Sequence, residues 1–415
     1  MKKFDRDKYL KKLKFKRAWR KYERYFYIGV PCLMITILGI YFTYSKFSSS
    51  KEEEVVRTTV GEFIHGDVVI GAYIDGEYSK TIPGKNDGYV VKNIVCDNGA
   101  VGEWNDDKWG LLTTNMTQKS KCNIYFETKK TSVVEAINVA MSTDSSMFAT
   151  DDPDSNVRYI GANPNNYVYF NCSDYNNPTA DTCELWRIIG VFNNVTKSDG
   201  SKENLVKIIR ADFLGNYSWD DNSVNDWSTA TLQQNLNSGT YYTTTLKNDT
   251  TRNAIEEVVW NLGGTDNHYS SASNGLASHW YGYERGTTVY SGRPTTWTGK
   301  IGLMYPSDYG YATSGGTTKD RAACLAKELL YWDSSEFSDC KGNDYLFDAN
   351  NGQWTLAPCS AYAYYVYSVG RGGIVTRGSA SYPYDAVRPA LFLKSSILVD
   401  KGTGESSNPY TLKIQ

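Results

Sequence analysis

Seven of the eight cysteines lie beyond residue 45, at Cys96, Cys122, Cys172, Cys183, Cys324, Cys340 and Cys359, and the first chemistry they offer is oxidation to disulfides. Proximity within modules pairs Cys96 with Cys122, Cys172 with Cys183 and Cys324 with Cys340, although sequence alone does not fix a connectivity. Cys359 is then an odd thiol beside Pro358. Metal chemistry has little material. His65, His268 and His279 are not at i, i+4 spacing, and neither a CxxC pair nor an HExxH motif occurs, so zinc is unsupported. Asp220, Asp221, Asn222, Asn225 and Asp226 cluster in WDDNSVNDW, which invites calcium, but the Gly and terminal Glu of an EF-hand loop are missing. No cofactor is therefore expected. A G-x-S-x-G nucleophile elbow is absent, and Gly370 to Gly373 neither follows an evident strand nor opens a helix, which argues against phosphate cradling.

The segment Ser360 to Asp385 has a different composition. It interleaves Tyr362, Tyr364, Tyr365, Tyr367, Tyr382 and Tyr384 with Ser, Gly, Arg371 and Arg377. Tyr gives a large amphipathic contact area with few rotors, Arg gives planar donors, and Ser and Gly permit close approach; recognition loops use the same mixture. The residues expected to bind a ligand are Tyr362, Tyr364, Tyr367, Arg371, Arg377, Tyr382, Tyr384 and Asp385. Alternating Tyr along AYAYYVYSV equally suits a two-faced strand in which half of the rings are packed.

The elements that must position these residues follow from composition and patterning. With 415 residues, 40% hydrophobic, 22% charged and 14% aromatic, the chain is too apolar to be disordered and long enough for more than one core. Thirty-three Tyr and eleven Trp against three His favour aromatic-rich β structure. Charge is uneven: residues 1–24 carry +9 and the remainder −11. The run Tyr25 to Ser45 then has 21 residues without a charge, enough to cover roughly 30 Å as a helix. It reads as a single transmembrane helix with the basic segment on the cytoplasmic side and the rest of the chain extracellular, anchored in the plasma membrane. Attraction to anionic lipid accounts for the basic segment, and no nucleic-acid partner is expected.

Residues 46–57 are polar and charge-segregated and read as a tether. Residues 58–128 show short β-patterned runs, including a hairpin signal at Asp75-Gly76, and read as a small all-β, sandwich-like stalk stapled by Cys96 and Cys122. Residues 129–154 hold a helix, with Val134, Ile137 and Met141 on one face, and a breaker-rich linker. From residue 155 to 415 the runs NYVYFNC, LWRIIGVF and NLVKIIRADF indicate a buried antiparallel sheet. Helical spacing then predicts helices over 252–262 and 319–332, and the pattern is that of an α+β domain.

Five fragments occur in a telling order: LWRIIGVF from Leu185, WSTATLQQNLN from Trp227, KIGLMYPSDYGYA from Lys300, QWTLAP from Gln353 and VRPALFL from Val387. Together they resemble an uncharacterised domain of bacterial cell-surface proteins related to the formylglycine-generating-enzyme and C-type-lectin-like fold. Asn235 and Ala357 depart from that pattern, which has Trp and Ser there. The resemblance implies a C-type-lectin-like domain whose C-terminal loops display binding side chains. Its enzymatic relatives use a cysteine pair, where this segment has Cys359 alone. The reading is a membrane-anchored surface protein, adhesin- or receptor-like, that binds an extracellular glycan or protein. The alternatives are an extracellular enzyme on the same scaffold and a structural envelope protein.

Overall fold

The computed structural model describes residue 7 and residues 10–21, 53–55, 68–85, 87–114, 120–266 and 275–414. It divides into two units, residues 1–129 and 130–415. Residues 10–21 are helical, and seven of those twelve residues are Lys or Arg.

In the first unit, a four-stranded sheet places Val68–Ile74 between Glu77–Ser79 and Ser120–Thr128, with Tyr89–Cys96 outermost. Asp75 and Gly76 adopt φ of 49° and 92°, the left-handed pair that a tight type I′ hairpin requires. A second sheet joins Glu53–Val55, Gly110–Thr114 and Val101–Asn105. Leu111 from this sheet packs with Ile70, Ala72, Ile124 and Phe126 from the first, around the Cys96–Cys122 disulfide. Such a core is small for some 70 residues, and the cross-link supplies what apolar area does not.

The second unit is built on a seven-stranded antiparallel sheet. Its order is Ile301–Gly302, Ala390–Leu393, Lys202–Arg210, Glu184–Thr196, Val157–Tyr159 and Phe148–Ala149, with Tyr167–Phe170 also paired to Glu184–Thr196. Trp186 to Phe192 are all buried, as expected of a central strand covered on both faces. Gly190 sits at a bulge where a Cβ would lie 2.1 Å from the Val157 carbonyl oxygen, so a side chain there would push the neighbouring strand away. The unit closes on itself: Leu398–Lys401 pairs with both Thr411–Lys413 and Thr131–Ser132, tying its last residues to its first. Ser132 then caps the helix Val133–Thr143, which buries Val133 and Ile137.

Three expectations are corrected here. Among the described residues no helix is long and apolar enough to cross a membrane, and the expected span Tyr25 to Ser45 lies outside them, so a transmembrane helix is no element of the described fold. The N-terminal helix at 10–21 is far too cationic to enter hydrocarbon. Second, the described residues are mostly β with few and short helices, not the expected α+β domain. The stretch 252–262 ends its helix at Ala254 and continues as the strand Val258–Asn261, paired with Thr296–Gly299. Val258, Val259 and Trp260 are β-branched or aromatic, and burial of Val258 and Trp260 on one face outweighs the helical spacing. The stretch 319–332 is likewise a short helix, Arg321–Leu325, and a separate turn of 3₁₀ helix at Leu329–Tyr331. Third, part of the expected tether, Glu53–Val55, is a strand on Leu111 to Thr113, because ladder pairing needs only backbone groups.

The core of the second unit contains a buried ion network. Asp308, in the first turn of the helix Pro306–Tyr311, accepts from Arg158 Nη1 at 2.9 Å and from Lys207 Nζ at 2.6 Å. It also accepts from the Tyr305 amide at 2.9 Å, and Arg158 Nε donates to Asp152 at 2.5 Å. Burial works against the Asp308 charge, but Lys207 and Arg158 outweigh it and hold the carboxyl down to about 2. Nearby, burial pushes the Glu284 carboxyl up to about 7, against the pull of Arg285 and of the Ser307 donors at 2.5 and 2.9 Å.

Asp308→Ala leaves two buried cations short of their shared anion and is expected to cost about 3–5 kcal/mol in denaturant unfolding with the disulfides intact. A loss below about 1 kcal/mol would show that the network is dispensable. Because the folded protein holds the Glu284 proton to higher pH than the unfolded chain does, this group's stabilising contribution is complete below about pH 4.5 and is lost as pH rises through about 7. The stability of the wild type relative to Glu284→Gln should therefore fall across that window, by on the order of 3 kcal/mol. Parallel curves from thermal melts at stepped pH would contradict this.

Candidate functional site

The Tyr-rich segment forms a hairpin and its flanking loops. Gln353–Pro358, Tyr365–Val369 and Val375–Ser379 make a three-stranded antiparallel sheet, with Tyr365 opposite Ser379 and Tyr367 opposite Arg377. The loop from Cys359 to Tyr364 is held by one side chain from elsewhere. Asn225, itself buried, donates from Nδ2 to the carbonyls of Cys359, Tyr362 and Tyr365 at 2.7, 2.8 and 3.0 Å, and its amide donates to Ala363 at 2.8 Å. Four backbone carbonyls are thus tied to one asparagine, and the Tyr365 carbonyl accepts from the Cys359 amide as well.

On this frame Tyr362, Tyr364 and Tyr365 form a ring cluster with centroid separations of 4.4 to 5.9 Å. The Arg377 guanidinium lies 4.9 Å from the Tyr362 ring centroid and 5.0 Å from that of Tyr365, within cation–π range. Tyr362 and Tyr364 remain exposed. Beside them Ser223, Ser379 and Ser381 form a triangle of hydroxyls 3.2 to 3.3 Å apart. Tyr382 and Tyr384 follow directly, with rings 5.9 Å apart, and are the most exposed tyrosines of this segment at 57% and 68%. Tyr217, whose amide donates to the Asp385 carbonyl, is also exposed. The result is a surface of aromatic rings, hydroxyls and one half-buried guanidinium, suited to flat contact and to hydrogen bonding with a polar partner.

The structure sorts the eight expected site residues. Tyr362, Tyr364 and Arg377 come together, and Tyr382 and Tyr384 follow two and four residues after Ala380, whose amide donates to the Tyr364 carbonyl at 2.8 Å. Tyr367 is no surface residue: it is fully buried, its ring packs 4.6 Å from Trp280, and its hydroxyl donates to the Thr265 carbonyl. Alternation puts it on the same face as Tyr365, and it is the packing of Trp280 against its ring that withdraws it from water. Arg371 lies in the turn at the other end of the hairpin, five strand residues away from Tyr365. Asp385 belongs to that end too, where burial pushes its carboxyl up against the pull of Ser368 and Arg371.

Asn225, Ser223 and Tyr217 were not expected as parts of this surface. Asn225 stood in the acidic cluster considered for calcium, and that cluster has structural work: Asp220 accepts from the amides of Asn222, Val224 and Thr231, and Asp226 accepts from the Ser228 amide and hydroxyl. Among the described residues no three His, Cys, Asp or Glu side chains are grouped to hold a metal. Cys172–Cys183 and Cys324–Cys340 are disulfides, and Cys359 is free but wholly buried, its sulfur 3.7 Å from Arg377 Nη1.

Asn225→Ala should cost about 2–3 kcal/mol by stranding several carbonyls, and should raise amide hydrogen exchange across residues 362–365. Asn225→Asp keeps the shape but replaces the donors by acceptors, and is expected to cost at least as much. Unchanged exchange in both variants would mean that the loop is held by other contacts.

No protein-family model, no curated protein and no solved structure matches this chain.

Proposed function

We propose that the second unit is a ligand-recognition domain working outside the cytoplasm, with the Tyr362, Tyr364, Arg377, Tyr382 and Tyr384 surface as its contact face for a glycan or protein. The observation that carries this reading is the investment in an exposed aromatic surface. Four large rings stand at the solvent boundary, Tyr362 and Tyr364 on a loop tied by Asn225 and Tyr382 and Tyr384 just past the hairpin, although a strand of the same composition could have packed them. Soluble surfaces seldom cluster tyrosines without a partner to cover them. Three disulfides support an oxidising compartment. Chemistry at Cys359 draws no support from its surroundings, since a nucleophile needs access and this thiol has none.

The test is a glycan and surface-protein binding screen with the oxidised chain and with a Tyr364→Ala, Tyr382→Ala, Tyr384→Ala variant. All three positions are exposed, so stability should change by no more than about 0.5 kcal/mol per site. Affinity for any captured partner should fall at least tenfold, on the order of 1–2 kcal/mol for each ring at the contact. A partner bound equally well by both proteins, or the absence of any partner, would reject this face.

A further inference from the structure

A second concavity lies away from the tyrosine surface, at the bulged end of the strand Glu184–Thr196. Its volume is about 250 Å3, below the roughly 300–1,000 Å3 of pockets for drug-sized molecules and therefore suited to a compound the size of one sugar. One wall is aromatic, made by Phe192, Trp260, Tyr305 and Phe392. The lining also has polar side chains, among them Asp154, Asn193 and Arg285.

Charge decides what can enter. Behind the aromatic wall stands the Lys207 ammonium, 4.4 Å from the Tyr305 ring centroid, 5.3 Å from that of Trp260, and 5.6 and 5.8 Å from those of Phe192 and Phe392. The negative faces of four rings are thus already engaged by a cation of the protein and offer a cationic ligand less attraction than an empty aromatic cage would. The carboxylate that balances Lys207, Asp308, does not line the cavity. Of the ionisable side chains that do, Lys207 and Arg285 are cationic against one carboxylate, Asp154.

Arg285 is the accessible cation. Its guanidinium stacks 3.3 Å from the Tyr281 ring centroid, and Nη1 donates to the Tyr281 carbonyl and to Glu284. Nε lies 3.9 Å from Asp154. Among the described residues Nη2 has no hydrogen-bond partner, so two fixed donors remain for an oxygen anion. Asp154, half exposed, accepts from the Tyr281 hydroxyl at 2.6 Å and keeps lone pairs for a hydroxyl donor. The cavity therefore pairs donors for a carboxylate with acceptors for hydroxyls, beside a flat apolar wall.

We propose that this cavity binds a small hydroxylated carboxylate, the chemistry of a sugar acid, with the carboxylate on Arg285 and a hydroxyl on Asp154. This site goes beyond the tyrosine face and does not depend on it. The test is calorimetric titration of the oxidised chain with glucuronate, with glucose, which lacks the carboxylate, and with benzoate, which lacks the hydroxyls. Glucuronate should bind at least tenfold more tightly than either. Arg285→Gln should lose at least tenfold in affinity for glucuronate. Thr196→Trp, which adds bulk at a lining residue outside the ion network, should lose as much while melting like the wild type. The Tyr364→Ala, Tyr382→Ala, Tyr384→Ala variant should bind glucuronate normally, so failure of one site is separable from failure of the other. Equal affinity for glucose, no saturable binding of glucuronate at millimolar concentration, or unchanged glucuronate affinity in Thr196→Trp would each overturn the assignment.

Discussion

One carboxylate, Asp308, is the constraint around which the second unit is arranged. It joins the helix Pro306–Tyr311 to two strands of the central sheet, because Arg158 comes from Val157–Tyr159 and Lys207 from Lys202–Arg210. Two cations could not stay in this interior without it. Desolvating a guanidinium and an ammonium costs several kcal/mol each, and only close, well-directed oxygens return that cost. The geometry meets the condition at three donors: each Asp308 oxygen has its own cation, and Asp152 accepts from Arg158 Nε, while the rings of Phe192 and Tyr311 lie against the guanidinium.

The aromatic content follows from the same constraint. Rings that touch Lys207 and Arg158, among them Phe192, Tyr305, Tyr311 and Phe392, pack as hydrophobes and also present negative faces to buried positive charge. A core of aliphatic residues would offer the cations nothing. The polar network and the aromatic core are therefore one device, and the cavity beside Lys207 inherits its electrostatics from it.

The tyrosines of residues 360–385 are used differently. Tyr367, inside the hairpin, is packed into the core against Trp280, while Tyr362 and Tyr364, in the preceding loop, stay outside. Loops of this kind hold shape only if their backbone groups are satisfied, and Asn225 does this from more than 130 residues away in sequence. The scaffold is rigid where the sheet is, and the exposed rings are borne on segments tied to it by few hydrogen bonds. That division of labour suits recognition.

Local chemistry was legible in the residues themselves. Cysteines close in sequence formed the disulfides expected of them, since short loops bring thiols together whatever the fold. The Asp75-Gly76 turn followed from the φ values those residues tolerate, and the run from Leu185 to Phe192 read as a buried strand because it is apolar except at Arg187. What failed was reading that needed distant partners. Residues 252–262 have helical spacing, but the second half became a strand once Thr296–Gly299 offered a ladder. Arg371 and Arg377 are equivalent by composition, and only the hairpin register put one among the tyrosines and the other at the far turn. The meeting of Asp308 with Arg158 and Lys207, at separations of 150 and 101 residues, leaves no trace in spacing. Residue type and near neighbours determined turns, cross-links and the taste of each segment for burial. The pairing of charges and the choice of exposed rings were decided by tertiary structure, because both depend on which surfaces are withdrawn from water together.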